Sequence, residues 1–346
     1  MPRARPRPPK SAEPAAPLAQ ALDQRVEDLR GFVRQALRSW DVHDVHQARV
    51  TTRRLKAAVD LLRPLLPEGP ATDFSKSLRK LRRTLGPLRD LDVMLHHLAD
   101  MKVPAGGAAA VEWVTQRLQQ RRSDLRREAA RKLTPRKALA RLGAWEDLEQ
   151  EVGAAESASS PLLARVAPQQ VRDFAARADR LATDHPASGV AESASAPDDV
   201  HALRVAGKLL RYTLELAEPL GHDVPRSVVK DFKALQEALG QWHDYVVLAE
   251  QALSLALEAE LAGHRPDLFG EILEFARTCW RRSDRHLEQF RTLWRRRGAD
   301  LADRAAGAFD AATPATEPPA HAAPATEAPQ AEAPQMEVPV PDTPSG

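Results

Sequence analysis

Two stretches of this chain set imidazole, guanidinium and ammonium groups in the same order. Residues 45–56 read VHQARVTTRRLK, and residues 200–211 read VHALRVAGKLLR. His46, Arg49, Arg53 and Lys56 step by three, four and three, and His201, Arg204, Lys208 and Arg211 repeat those steps. On a helix such spacing stacks side chains along one face. Each stretch therefore presents a cationic edge with no carboxylate in it. The chemistry this suits is capture of a multiply charged anion, because a guanidinium offers phosphate oxygens a rigid fork of donors. Each histidine stands near a helix N-terminus, where the dipole disfavours imidazolium and a bound anion would restore it. Donation to phosphate oxygens is the role expected of both. A single row would be read as a solvated face whose long stems cover apolar surface. Two rows at matching positions argue for a function.

A second pair of segments follows the first. Residues 78–90 read LRKLRRTLGPLRD and residues 232–244 read FKALQEALGQWHD, so Leu81, Leu85, Gly86 and Asp90 recur as Leu235, Leu239, Gly240 and Asp244. The offset is 155 residues for the first pair and 154 for the second. A two-part match at nearly constant offset reads as an internal duplication. Beside the cationic rows run the apolar stripes that must position them. Val45, Ala48, Thr52, Leu55, Val59, Leu62 and Leu66 form one, and Val200, Leu203, Gly207, Leu210, Leu214 and Ala217 the other, at the period of a buried helical seam.

Composition points the same way. Charged residues make up 28% of the 346 and aromatic residues 5%, with few β-branched runs, which is the profile of an all-α protein. A lone cysteine, Cys279, excludes an internal disulfide and a cysteine-based zinc site and suits a reducing compartment. No apolar run is long enough to span a bilayer, and no secretory signal opens the chain. The expectation is a cytoplasmic protein with no membrane partner. Residues 1–17 are expected to be a disordered basic arm. Residues 311–346, rich in Pro and Ala and holding five acids with no Lys or Arg, are expected to be a disordered acidic tail. Between them a helical domain over 18–310 divides into halves at about 18–182 and 199–310, joined by a linker over 183–198.

Within the first half, Leu22, Val26, Leu29, Val33 and Leu37 predict a helix ending near Trp40. Asp41 or Asp44 is placed to cap its successor. The next helix, with Leu78, Leu81, Leu85 and Leu88 as its seam, is expected to be capped by Asp73 or Ser75 and kinked at Pro87. Gly86 and Gly240 are expected to mark close approach of another helix. A helix over about 108–133 follows, then one from Pro135, N-capped by Thr134, to about Glu156. SASSP at 157–161 should separate that from a helix over 162–182. The second half is read as helices over 199–218, 226–262 and 264–297, with a short one to Phe309.

In this order and spacing, HxxRVxxRRLK, LGxxRDLDV, HxLRVxxKxLRY and LGxxHD resemble the CHAD domain, the conserved histidine α-helical domain. The resemblance covers roughly 18–300. It implies two related antiparallel helical bundles about a pseudo-two-fold axis, with a basic groove or pore between them. It also implies binding of inorganic polyphosphate, association with polyphosphate granules and their proteins, and neither a cofactor nor a catalytic step. The positions that correspond are His46, Arg49, Arg53, Arg54, Lys56, Arg79, Arg82, Arg83 and Arg89, then His201, Arg204, Lys208, Arg211, Lys230 and Lys233. The second half departs from the pattern. Leu209 stands where a basic residue is expected, Glu237 corresponds to Arg83 and Val246 to Asp92. The first half is therefore expected to supply most of the affinity.

Two other functions could draw on these residues. His43-Asp44, His243-Asp244 and His96-His97 could hold metals for an all-α phosphohydrolase. Yet Asp44 fits a cap, Asp244 aligns with Asp90 as a partner for arginines or a neighbouring helix end, and the doublets do not recur at equivalent places. A nucleic acid is drawn to any basic surface. Here the base-stacking aromatics that single strands need are not interleaved with the rows, so nucleic acid is expected only as a non-specific polyanion.

Overall fold

A computed structural model describes residues 17–101, 107–183 and 197–310, which lie in one compact unit. Among the described residues every regular element is helical. In chain order these are α1 (Pro17–Ser39), α2 (Val42–Leu62), α3 (Glu68–Asp100), α4 (Ala108–Lys132), α5 (Pro135–Leu142), α6 (Glu146–Ala154), α7 (Glu156–Thr183), α8 (Pro197–Leu214), α9 (Arg226–Glu258), α10 (Leu261–His264) and α11 (Pro266–Gly307). The expected basic arm, linker and acidic tail fall outside the described residues except at their edges. No described helix is long and apolar enough to cross a membrane.

The two predicted stripes are the seams that organise the packing. Every member of each is buried, from Val45 to Leu66 and from Val200 to Ala217. Helix α2 lies between α1 and α3, α8 between α7 and α9, and α2 also packs directly on α8. Their apolar faces join α1, α5, α6, α7 and the far part of α11 in a main core, with Phe74 against Trp145 at 5.3 Å and Phe174 against Phe232 at 5.0 Å. Beyond it α3 and α9 run on into a second core, where Leu91, Met94 and Leu98 of α3 and Leu248, Ala252 and Leu255 of α9 meet α4, α10 and the start of α11. Cys279 is buried there, which pushes its thiol up to about 12.

Several boundaries differ from those read in the sequence. Helix α3 starts at Glu68, not at a cap on Asp73 or Ser75. Gly69-Pro70 fits its first turn because the proline's missing N–H is not needed there. The helix also runs unbroken through Pro87. The segment expected to end at Glu156 is divided into α5 and α6, and α7 begins at Glu156 and absorbs residues 157–161. Those serines serve the helix: Ser159 Oγ donates to the Ala155 carbonyl at 2.8 Å, and Ser160 Oγ lies 3.0 Å from His222 Nε2. Short polar side chains suit a first helical turn as well as a loop. Helix α11 does not stop at Arg297, because Leu301 and Ala305 carry its buried stripe onward into the main core. Asp41, of the two candidates, caps α2, accepting from the His43 and Asp44 amides at 2.8 and 3.3 Å. Thr134 caps α5 as expected.

One side chain ties this framework at three points. Arg122 of α4 pairs with Asp92 of α3, whose carboxylate is 1% exposed, and donates to the Trp40 carbonyl at 3.1 Å. Trp40 turns the chain between α1 and α2 with φ at 58°, a left-handed value that costs a non-glycine residue about 1–2 kcal/mol. Arg122→Leu should destabilise the fold by about 3–5 kcal/mol in urea titrations, because it leaves a carboxylate buried without its partner. Adding Asp92→Val, the residue type at Val246, should recover much of that loss. A double variant no more stable than the single one would show that the pair is not the cause.

Candidate functional site

The seams dictate where the cations go. With Val45, Ala48, Thr52 and Leu55 facing the core, the next positions round α2 fall at the margin of the packing, and His46, Arg49 and Arg53 are half-buried there. In α8, burial of Val200, Leu203, Gly207 and Leu210 does the same for Arg204 and Lys208. Gly207 lets α7 come close, since a Cβ there would lie 3.0 Å from the Phe174 ring. Because α2 and α8 pack on each other, with α3 and α9 also touching, Arg49 and Arg53 of one row come near Arg204 and Lys208 of the other.

Corresponding residues make corresponding contacts. Arg49 Nη2 is 3.0 Å from Asp90 Oδ1, and Arg204 Nη2 is 3.8 Å from Asp244 Oδ1. Arg89 Nε donates to His46 Nδ1 at 2.7 Å, and His243, at the position matching Arg89, has its ring 5.7 Å from that of His201. A neutral His46 that accepts at Nδ1 carries its proton on Nε2, which leaves an N–H to offer an anion. Asp244 is shared with His97 Nε2 at 3.6 Å, and His97 packs on Tyr245 with ring centroids 4.9 Å apart.

Burial is the first cause of every shift among the basic groups of the cluster, and cations of α2 act on Arg204 and Lys208 of α8 as well. Burial lowers the Lys208 ammonium to about 6, with Arg204, Arg53 and Arg49 adding to the effect and Asp244 opposing it. Burial takes Arg49 down to about 10, helped by Arg53, Arg82 and Arg89 against Asp90. Arg204 is lowered by burial, with Asp244 opposing and Arg53 contributing from the facing helix. His46 falls to about 4 through burial and then Arg89, His43, Arg53 and Arg49. His243 falls to about 3 through burial and then Arg204, with Lys208 and His201 adding and Asp244 opposing. His201 is lowered by burial, Arg204 and Lys208. Burial would raise the Asp244 carboxyl, but His97, Arg204 and His243 outweigh it and hold it low. The carboxylates Asp90 and Asp244 offset only part of the charge of Arg49, Arg53, Arg82, Arg89, Arg204 and Lys208.

Not every predicted residue joins this cluster. Arg54 Nε and Arg211 Nε meet Glu215 at 2.7 and 3.2 Å, and Arg25 donates to the Glu215 carbonyl at 3.3 Å. That node links α1, α2 and α8 and uses the guanidinium groups on the fold's own carboxylate. Lys56 pairs with Asp60 one turn along. Arg79 and Arg83 of α3 and Lys230 and Lys233 of α9 are exposed. The sequence reading did not place His243 in the site, considering it only within a His-Asp doublet whose metal-binding role it set aside. Its alignment with Arg89 was the available signal. Gly86 is buried against the Arg49 guanidinium, which a side chain there would displace, so what lies close is the end of a side chain and not the helix that was expected. Gly240 faces open space within 4 Å, so the close approach expected there is absent.

A family model, the CHAD domain, matches residues 20–253, which include α2, α3, α8 and most of α9. This chain belongs to the CHAD domain family. Two uncharacterized proteins of Mycobacterium tuberculosis, MT2285 and Rv2226, are each 30% identical to it over 269 residues, or 74% of this chain and 49% of theirs. The chain thus spans about half the length of these relatives. Among solved structures, the crystal structure of the CHAD domain from the plant Ricinus communis superposes with a TM-score of 0.51 at 24% identity, covering 87% of this chain and 93% of that one. PptA from Streptomyces chartreusis gives 0.51 at 17% identity, covering 81% and 98%. At these identities the likeness concerns the all-α CHAD fold.

Asp244 stabilises the fold by answering Arg204 and His97 from a half-buried position. Asp244→Asn should cost about 1–3 kcal/mol at neutral pH. The folded carboxyl titrates below its ordinary 3.8. That contribution is therefore fully present above 3.8 and lost as pH falls through the lowered value. Chemical denaturation of both proteins across pH 2.5–7 checks this, and a gap that persists undiminished in acid would refute it.

Proposed function

We propose that this chain binds inorganic polyphosphate along the cationic cluster shared by α2, α3, α8 and α9, and that it acts at polyphosphate granules as a binder with no catalytic step. The observation that carries the reading is the facing pair of rows. Arg49 and Arg53 from one helix and Arg204 and Lys208 from the other share a half-buried site whose charge Asp90 and Asp244 do not neutralise. A linear polyphosphate has about one charge per phosphate, so a row of guanidinium forks suits it better than a single pocket. Membership of the CHAD domain family supports the reading, since that family is linked to polyphosphate binding in general. Arg82 and Arg89 extend the row on the first half, where the larger share of affinity is expected, with His46, His201 and His243 beside it. Arg79, Arg83, Lys230 and Lys233 would meet the chain's outer reaches.

Replacing Arg49, Arg53, Arg204 and Lys208 together by Ala should abolish binding of long-chain polyphosphate in calorimetric titrations without loss of helical circular dichroism. Unchanged affinity would place the site elsewhere. Counterion release should dominate, so log affinity should fall linearly with log salt, and Arg53→Ala should make that slope shallower by roughly one unit. Competition with DNA of equal charge tests specificity. Equal affinities would make the protein a general polyanion binder, and phosphate release with added magnesium would contradict the absence of catalysis.

Binding should also take up protons. Lys208, lowered to about 6 in the free protein, is mostly neutral at pH 7.5. A bound polyanion raises it again. The sign follows: affinity is greatest below pH 6 and declines as pH rises from there towards the raised value in the complex. Titrations at pH 7.5 in buffers of different ionisation enthalpy should show net proton uptake that Lys208→Met reduces. Zero uptake in the native protein would rule the mechanism out.

A further inference from the structure

Arg54 and Arg211 stand outside the cluster, and one carboxylate holds both. Glu215 immediately follows α8, and its N–H donates to the Arg211 carbonyl at 3.0 Å, which fixes it one turn beyond that residue. Arg54 Nε lies 2.7 Å from Glu215 Oε2, and Arg54 Nη2 donates to Oε1 at 3.2 Å. Arg211 Nε donates to the same Oε1 at 3.2 Å, and Arg25 of α1 donates to the Glu215 carbonyl at 3.3 Å. Two oxygens met edge-on by a guanidinium group is also how arginine takes a phosphate. The carboxylate fills this fork only in part. The Arg54 Nε contact is not aligned as a hydrogen bond, and that donor has no other partner among the described residues. Three guanidinium groups thus meet one carboxylate. An anion can reach the place, since the side chains of Arg54 and Arg211 are 31% and 37% exposed.

Position along the helices says what this node would otherwise serve. Arg54 directly follows Arg53, and Arg211 stands one turn beyond Lys208, so the node continues both cationic edges. Asp60 precedes Glu215 by 155 residues, as Lys56 precedes Arg211. Among the described residues Asp60 pairs with Lys56 and Arg63, both within its own segment. Glu215 is one methylene longer and crosses to a cation of α2. The bridge from the end of α8 to α2 depends on this glutamate.

We infer that Glu215 is a specificity-determining residue for polyanion length: its carboxylate takes the place of a phosphate in the fork of Arg54 and Arg211 and ends the binding track there. On the polyphosphate reading, on which this rests, a bound chain engages the cluster and stops short of the node. With the Glu215 charge removed, the donors of Arg54 and Arg211 are open and a longer stretch of chain is held.

Arginine modification by phenylglyoxal, mapped on the full chain by peptide mass spectrometry, reads the node residue by residue. In the native protein long-chain polyphosphate should protect Arg49, Arg53 and Arg204 and leave modification of Arg54 and Arg211 unchanged. In Glu215→Gln, Arg54 and Arg211 should be modified faster, and polyphosphate should now protect them too. The log–log salt dependence of binding should steepen by about 1.4 units, as expected for two more phosphate contacts at about 0.7 each. Adding Arg54→Gln should remove about half of that gain. Glu215→Asp keeps the charge but draws it back by one methylene, and should show the same changes more weakly. It decides the matter if circular dichroism shows Glu215→Gln to be unfolded. Equal protection of Arg54 and Arg211 in the native protein and in Glu215→Gln, or an unchanged salt slope, overturns the inference. So does a gain indifferent to Arg54→Gln, which would report only the loss of a nearby negative charge. Protection of Arg54 and Arg211 in Glu215→Gln without protection of Arg49, Arg53 and Arg204 counts against polyphosphate at the cluster alone. No protection at any of these arginines in either protein overturns both.

Discussion

Arg49, Arg53, Arg204 and Lys208 repel one another, and the architecture around them is what holds them together. None of the four contributes much to its own placement. Their backbones are fixed by the seams of α2 and α8, buried from Val45 to Leu66 and from Val200 to Ala217, and by direct packing of one helix on the other. Asp90 and Asp244 oppose the lowering of Arg49 and Lys208, which burial causes first and the neighbouring cations add to. A cluster held by a buried apolar frame is fixed before any ligand arrives, so under the proposed function binding would require little further ordering.

The two cores divide the work. The main core orients α2 and α8, while the second core, built on the far parts of α3 and α9, fixes what stands behind the site. His97 belongs to this boundary: buried against Tyr245, it reaches Asp244, which in turn answers Arg204. A contact in the second core is thereby connected to the charge balance of the cluster in two steps. Arg122 plays a comparable part in the frame, linking α4 to Asp92 and to the turn at Trp40. At the position matching Asp92, the second half has Val246, partly buried against the main core. Asp92 therefore serves the frame, and its replacement need not alter an anion site.

Much of this was legible in the chain itself. A period of three and four residues in apolar type identifies a buried helical face, because burial of one stripe is what most stabilises a helix in a protein. The same period fixes which residues share the adjoining edge, so the rows at His46 and His201 could be read without coordinates. The matched spacing left Asp90 and Asp244 as partners either for arginines or for a neighbouring helix end, and Arg49 and Arg204 take that place. Boundaries were less legible. SASSP at 157–161 and Gly69-Pro70 satisfy the local rules for a loop and for a first helical turn equally well, and at 157–161 the helical outcome goes with a contact distant in sequence, Ser160 with His222.

The sequence by itself determined that the protein is all-α and where its two cationic edges run. Only the tertiary structure decided which cations act together. Arg54 and Arg211 lie in the same segments as Arg53 and Lys208, yet Glu215 engages the first two while the last two share one field across α2 and α8. His243 likewise entered the site through a contact with His201 rather than through its doublet. The physical reason is one of range. Helical periodicity fixes neighbours three and four residues apart, whereas Coulomb interaction and burial depend on distances between helices, which packing of the whole core sets.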